Sequence, residues 1–252
     1  MTLQIDSTLL AGYVLAMARA GAWVMVAPPF TGNMIPGRIK AGLAAALALA
    51  LGPRLADQSV PLETGALIGA MLLQIVAGAA LGFLAYLLFA AFQTAGAVID
   101  LFGAFSISEA IDPVSGVSTS VFGRFYSLIA TVLLFATGGH LLLVRGFLTS
   151  YEALPLDGFR SDRLAEVLTA DLGTFFLAAL QIAAPLVAAL FLTDVALGLL
   201  SRAAPEMNVF LLGLPLKIFV TLSLVGVAIP VLPRAVAEMT DTAVRHGIGL
   251  GG

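Results

Sequence analysis

The chain alternates long apolar runs with short polar breaks. The first run covers residues 9–30 and stops at Pro28-Pro29. A shorter Ala/Leu run, 39–52, is closed by Pro53-Arg54. Residues 65–105 follow, then 121–148 with an interruption at Gly138-Gly139-His140, then 172–200 and 209–232. A spanning helix needs roughly 20 apolar residues, so most of these runs are long enough. The 65–105 run is too long for one crossing. It predicts a hairpin or a helix that projects well beyond the bilayer. The 39–52 run reads equally as a packed or re-entrant helix. None of the runs alternates with a period of two, and all exceed the roughly 10 residues of a barrel strand. The expected fold is therefore all-α: an integral membrane protein of helical hairpins with broken helices. The chain, 1–252, is read as one membrane-embedded domain with a polar loop at 152–171. No internal repeat is seen.

Composition sharpens the pattern. Hydrophobic residues make up 60% and charged residues 11% of the chain, and the mean hydropathy is +1.05. A soluble domain averages about 45–50% apolar and about 25% charged. This much apolar surface needs lipid or a large assembly as its solvent. The net charge is −3 with no basic run, so nucleic-acid binding has no electrostatic basis. The first eight residues carry Asp6 and no cation, so the first apolar run is expected to remain in the mature chain. The positive-inside rule gives no orientation. Six simple spans put Arg38, Lys40, Arg124 and Arg202 on one side. They put Arg54, Arg145, Arg160, Arg163, Arg234 and Arg245 on the other.

Several residues stand out against this background. Gly65 and Gly69, and Gly78 and Gly82, are two small-xxx-small pairs in one apolar run. Such pairs allow close helix approach, and Gly is also common in membrane helices without that role. Arg19, Asp194 and Lys217 are charges inside apolar runs, each costing about 2.5–3.5 kcal/mol at a bilayer centre. Asp194 and Lys217 lie eleven or twelve residues on either side of the turn at Pro205-Glu206. An antiparallel hairpin would bring them to one height, where they either pair or are solvated separately. Arg19 faces either a functional path or polar backbone. Residues 100–124 mix Phe102, Phe105, Ile107, Ile111, Val114, Val117, Val121 and Phe122 with Gly103, Gly116 and five serines. That mixture suits a displaceable segment seated in a cavity, or a buried structural loop.

Catalytic and cofactor chemistry finds no foothold. With no cysteine there is no thiolate nucleophile, disulfide or thiolate metal site. His140 and His246 have no acidic or Cys cluster at metal spacing. Glu109 and Asp112 are followed by Pro113, which breaks the helix that an acid/base pair would need. The glycine-rich tail has no preceding strand and reads as a flexible end. The expectation is no enzyme, no cofactor and no metal.

Residues 201–218 read Ser-Arg-Ala-Ala-Pro-Glu-Met-Asn-Val-Phe-Leu-Leu-Gly-Leu-Pro-Leu-Lys-Ile. With residues 93–103, 112–124 (DPVSGVSTSVFGR) and 138–155 (GGHLLLVRGFLTSYEALP), they resemble in order the motifs of the FliR family, the flagellar branch of the type III secretion export gate. The resemblance implies a structural and gating subunit that closes a helical ring with FliP and FliQ and contacts FlhB. The ring would sit in the bacterial inner membrane at the flagellar basal body and pass unfolded flagellar proteins. The resemblance also places a channel plug at Phe105, Ile107, Ile111, Val114, Gly116 and Val117. Virulence-type secretion proteins share these motifs. A reading of another class remains open: a small secondary transporter or channel using Arg19, Asp194 and Lys217. Such proteins use broken helices near the midplane.

Overall fold

The computed structural model describes residues 7–28, 30–31, 35–55, 60, 62–106, 120–156 and 161–249. Among these residues the chain is helical, with no strand. In order the helices are α1 (Ser7–Val26), α2 (Gly37–Ala50), α3 (Gly52–Leu55), α4 (Thr64–Phe102) and α5 (Val121–Ala136). They continue with α6 (Gly139–Ala153), α7 (Ser161–Ala203), α8 (Val209–Ala228) and α9 (Leu232–Gly249), with a 3-10 turn at Ile229–Val231.

Four stretches are long and apolar enough to cross a membrane: Ser7–Val26, Thr64–Phe102, Ala165–Ala203 and Leu211–Gly249. The broken pair α5 and α6 makes a fifth if counted as one span. The protein is an all-α integral membrane protein. The 65–105 run resolves as one continuous helix, not a hairpin. At about 1.5 Å per residue, α4 is about 58 Å long and α7 about 64 Å. A bilayer core is about 30 Å thick, so neither helix can lie wholly inside the hydrocarbon along its normal.

Local chemistry explains the breaks. Ser120 caps α5 by accepting from the Gly123 N–H at 2.8 Å, and Asn208 caps α8 through Leu211 N–H at 3.3 Å. These caps satisfy first-turn donors that have no intrahelical partner. Gly138, at φ +75°, separates α5 from α6, a conformation that costs glycine little. Pro230 sits in the 3-10 turn, where the missing N–H ends α8 cheaply. The tail differs from expectation. Helix α9 runs through Gly247 to Gly249, because its amphipathic face packs: a Cβ at Gly247 would stand 3.1 Å from Leu81. Half of the expected 152–171 loop is likewise helical, since α7 begins at Ser161.

Two compact units emerge. One comprises residues 1–88, 138–173 and 239–252, the other 89–137 and 174–238. In the first, α1 buries Gly12, Leu15, Ala16, Arg19, Ala20, Trp23 and Val24, a stripe at i, i+3, i+4 spacing. Trp23 stacks on Phe147 of α6 with ring centroids 4.7 Å apart, and α2 packs on α1. Helix α4 meets α1 backbone to backbone: a Cβ at Gly78 would overlap the Arg19 carbonyl, and one at Gly82 would lie 2.8 Å from Val26 Cβ. A Cβ at Gly65 or Gly69 would meet nothing within 4 Å among the described residues. In the second unit the end of α4 packs on the start of α5, and Phe122, Tyr126, Ala130 and Leu134 form the buried face of α5.

Candidate functional site

Three polar constellations interrupt the apolar interior. The first surrounds Arg19, which is completely buried. Its Nε donates to Gln74 Oε1 at 2.6 Å. Its Nη1 donates to the Ser150 carbonyl at 3.2 Å, and its Nη2 to the Leu154 carbonyl at 2.6 Å. The guanidinium carbon lies 4.1 Å from the centre of the Tyr151 ring, a cation–π contact, and the Tyr151 hydroxyl donates to the Ala16 carbonyl at 2.9 Å. Gln74 Nε2 continues the chain of bonds to the carbonyls of Pro155, at 3.2 Å, and Leu156, at 3.3 Å. The acceptors cluster at the end of α6, where the chain leaves the helix and carbonyls run out of helical partners; the Ser150 carbonyl still accepts from the Leu154 N–H. A cation there also meets the negative end of the helix dipole. Arg19 and Gln74 together cap α6 from two other helices. All these partners are neutral, and each nitrogen of the Arg19 guanidinium donates to a backbone or side-chain oxygen. Gln74 was not anticipated. An amide among the apolar residues of a 39-residue helix, one of two in it with Gln93, was the available signal.

The second constellation is the ion pair of the α7–α8 hairpin. Lys217 Nζ lies 2.6 Å from Asp194 Oδ1. The two helices run antiparallel from the turn at 204–208, and the register counted from that turn places both charges together. The Lys217 side chain is 18% exposed and that of Asp194 41%. The pair therefore sits on the flank of the hairpin and not in a closed core.

The third lies at the ends of the 100–124 break. Asp100 is buried near the end of α4. Its carboxylate accepts from the Ser120 hydroxyl and from the Phe122 N–H at 3.1 Å. The backbones also touch: a Cβ at Gly96 would collide with the Phe122 carbonyl, and one at Gly123 would stand 3.0 Å from the Gln93 carbonyl. Helix α4 ends in a left-handed turn. Ala104 has φ +67°, and the Phe105 N–H returns to the Asp100 carbonyl at 3.1 Å, the Schellman pattern with alanine where glycine is usual. Phe105 then packs edge-on against Phe122 with centroids 5.0 Å apart. Of the expected plug residues, Phe105 is seen in this contact. Ile107, Ile111, Val114, Gly116 and Val117 lie outside the described residues.

A further pair had no signal in the sequence. Asp171, buried in α7, contacts His246 Nδ1 of α9 across 75 positions. Among the described residues no group of three or more metal-binding side chains gathers.

Comparison with known proteins follows the same lines. The family described as bacterial export proteins, family 1, matches residues 10–243. The chain is similar to the flagellar biosynthetic protein FliR of Escherichia coli (strain K12), 32% identical over 87% of this chain and 85% of the relative. It is similar to FliR of Bacillus subtilis (strain 168), 32% identical over 95% of each chain. The surface presentation of antigens protein SpaR of Shigella flexneri is 35% identical over 58% of this chain and 57% of its own. With the match spanning nearly the whole sequence, the chain belongs to the family of bacterial export proteins that includes FliR and SpaR.

Proposed function

We propose that this chain is a structural and gating subunit of a flagellar type III export gate, and that the segment from Phe105 to Val121 seals the channel at rest. The coarser part, a membrane component of a type III export apparatus, rests on the family match. The finer part rests on one observation above all. The segment leaves α4 and returns to α5 at a single point, closed by Asp100, Ser120 and Phe122. A segment with joined ends and an apolar, Gly- and Ser-rich sequence can fill a pore and be displaced without unravelling the helices that bear it. A hydrophobic constriction of that kind blocks water and ions by dewetting.

The flagellar assignment is supported by end-to-end similarity to FliR of Bacillus subtilis. FliP, FliQ and FlhB are the proposed partners, unfolded flagellar proteins the proposed cargo, and the inner membrane at the basal body the proposed location. The extensive apolar surface of α7 and α8, including Phe191, Leu192, Leu199, Leu211 and Phe219, suits burial against other helical subunits and lipid. The transporter reading loses support from Arg19, whose donors are held by fixed oxygens, and from Asp194 and Lys217, which neutralise one another.

The test is deletion of residues 107–117 in cells expressing the chain with its partner subunits. Entry of a small polar dye should rise while the complex still assembles. Normal assembly with wild-type permeability would move the seal to a partner chain.

A further inference from the structure

We propose that Asp100 is a positioning residue for that seal: its carboxylate locks the end of α4 to the start of α5 and so holds the ends of the intervening segment together. The inference rests on the seal reading above and adds the device that keeps it in place.

A buried carboxylate in an apolar helix is costly unless it is hydrogen-bonded. Asp100 is buried, and among the described residues its carboxylate's partners are the N-cap and first turn of α5. It accepts from the Ser120 hydroxyl and the Phe122 N–H, while Ser120 accepts in turn from the Gly123 N–H. The carboxylate thus faces the positive end of the α5 dipole, where a negative charge is favoured. Gly96 and Gly123 let the two backbones meet so closely that no side chain could stand between them. The lock works against a strained neighbour. Ala104 is held at φ +67°, a region disfavoured for any residue with a Cβ. The Phe105 ring, braced on Phe122, is the first side chain beyond that turn. Charge-assisted hydrogen bonds are the strong members of this set. Removing Asp100 leaves the aromatic contact and the glycine packing to hold a turn that is itself under strain.

The chain has no cysteine, so S106C provides a single thiol in this chain, placed just past the turn. The complex bearing S106C would be labelled with a membrane-impermeant maleimide, with the complex lacking S106C as blank. Adding Asp100→Ala should raise the labelling rate about tenfold to a hundredfold, the equivalent of one lost charged hydrogen-bond set. Asp100→Asn, which keeps an acceptor but not the charge, should give a smaller rise. A thiol at the distant hairpin, S201C, should label at the same rate in all backgrounds, which a general loosening of the protein would not allow. Dye entry should rise with S106C labelling.

Unchanged S106C labelling in an assembled Asp100→Ala complex would overturn the proposal. Should Asp100→Ala fail to assemble, Asp100→Asn decides in the same way. Should labelling depend on Asp100 while neither Asp100→Ala nor the 107–117 deletion admits dye, the lock stands and the seal reading fails. Should the deletion admit dye while an assembled Asp100→Ala complex neither labels faster nor leaks, the seal reading stands and Asp100 is not its positioning residue.

Discussion

Replacing Arg19 by methionine keeps a long, flexible side chain in place and removes the guanidinium. Two buried acceptors then lose their donor: Gln74 Oε1 and the Leu154 carbonyl, both at 2.6 Å. The Ser150 carbonyl retains the Leu154 N–H at 2.8 Å and is not orphaned. Each orphaned buried acceptor costs about 1–3 kcal/mol, so the loss is about 2–6 kcal/mol. An opposing effect must be weighed, because burying a guanidinium is itself expensive. In a membrane protein that cost does not vanish on unpacking. The inserted but unpacked span still carries Arg19 in the bilayer, at about 2.5–3.5 kcal/mol. Relief from desolvation is therefore small and the orphaned acceptors dominate. About 2–4 °C of melting midpoint accompany each kcal/mol in chains of this size, so a fall of about 5 °C or more is expected. Heat challenge of the detergent-purified complex, followed by size-exclusion with fluorescence detection, reads the midpoint. Arg19→Lys should fall between, since one nitrogen cannot serve the Gln74 side chain and the Leu154 carbonyl together. A midpoint for Arg19→Met within about 1 °C of wild type would refute the capping role assigned to this residue.

Other perturbations test the remaining contacts. Asp194→Ala and Lys217→Ala should each lower the yield of assembled complex, and the double change should cost less than the two singles added, with a coupling of about 1 kcal/mol; strictly additive losses would mean that each charge serves a different subunit. The Tyr126 hydroxyl is buried with no hydrogen-bond partner among the described residues, so Tyr126→Phe should leave thermal stability unchanged or raise it by about 1 kcal/mol. A drop seen only in the assembled complex would show that a partner chain bonds this hydroxyl. Gly78→Val should abolish accumulation of the chain in membranes, because α4 could no longer lie against the Arg19 carbonyl. Gly65→Ala, in open space, should be tolerated by immunoblot and gain helix propensity of up to about 1 kcal/mol.

What could be read from the sequence follows from the range over which each signal acts. The apolar runs are local, and nearly all of them became helices. The Asp194–Lys217 register was legible because a tight turn converts equal sequence offsets into equal height. The 65–105 run was ambiguous because glycine in an apolar stretch marks a turn and a helix contact alike. Here Gly78 and Gly82 are contact points inside one helix. The partners of Arg19 were hidden, since two of its acceptors are main-chain oxygens 131 and 135 residues away and carbonyls have no sequence signature. The Asp100 lock was hidden for a related reason: one of its donors is the Phe122 N–H. The helical end at 247–249 was misjudged because four glycines in the last six residues suggest a loose end, whereas Gly247 is small to fit against Leu81.

The central claim is that this chain works as one part of a membrane-embedded export assembly of unlike subunits. Native mass spectrometry of the affinity-tagged chain, co-expressed with its neighbouring export genes and extracted in mild detergent, tests it most directly. The account predicts a discrete hetero-oligomer with different partner chains in fixed ratio, and low abundance of the chain when it is expressed alone. A stable, monodisperse monomer or homo-oligomer, unchanged by co-expression, would contradict it.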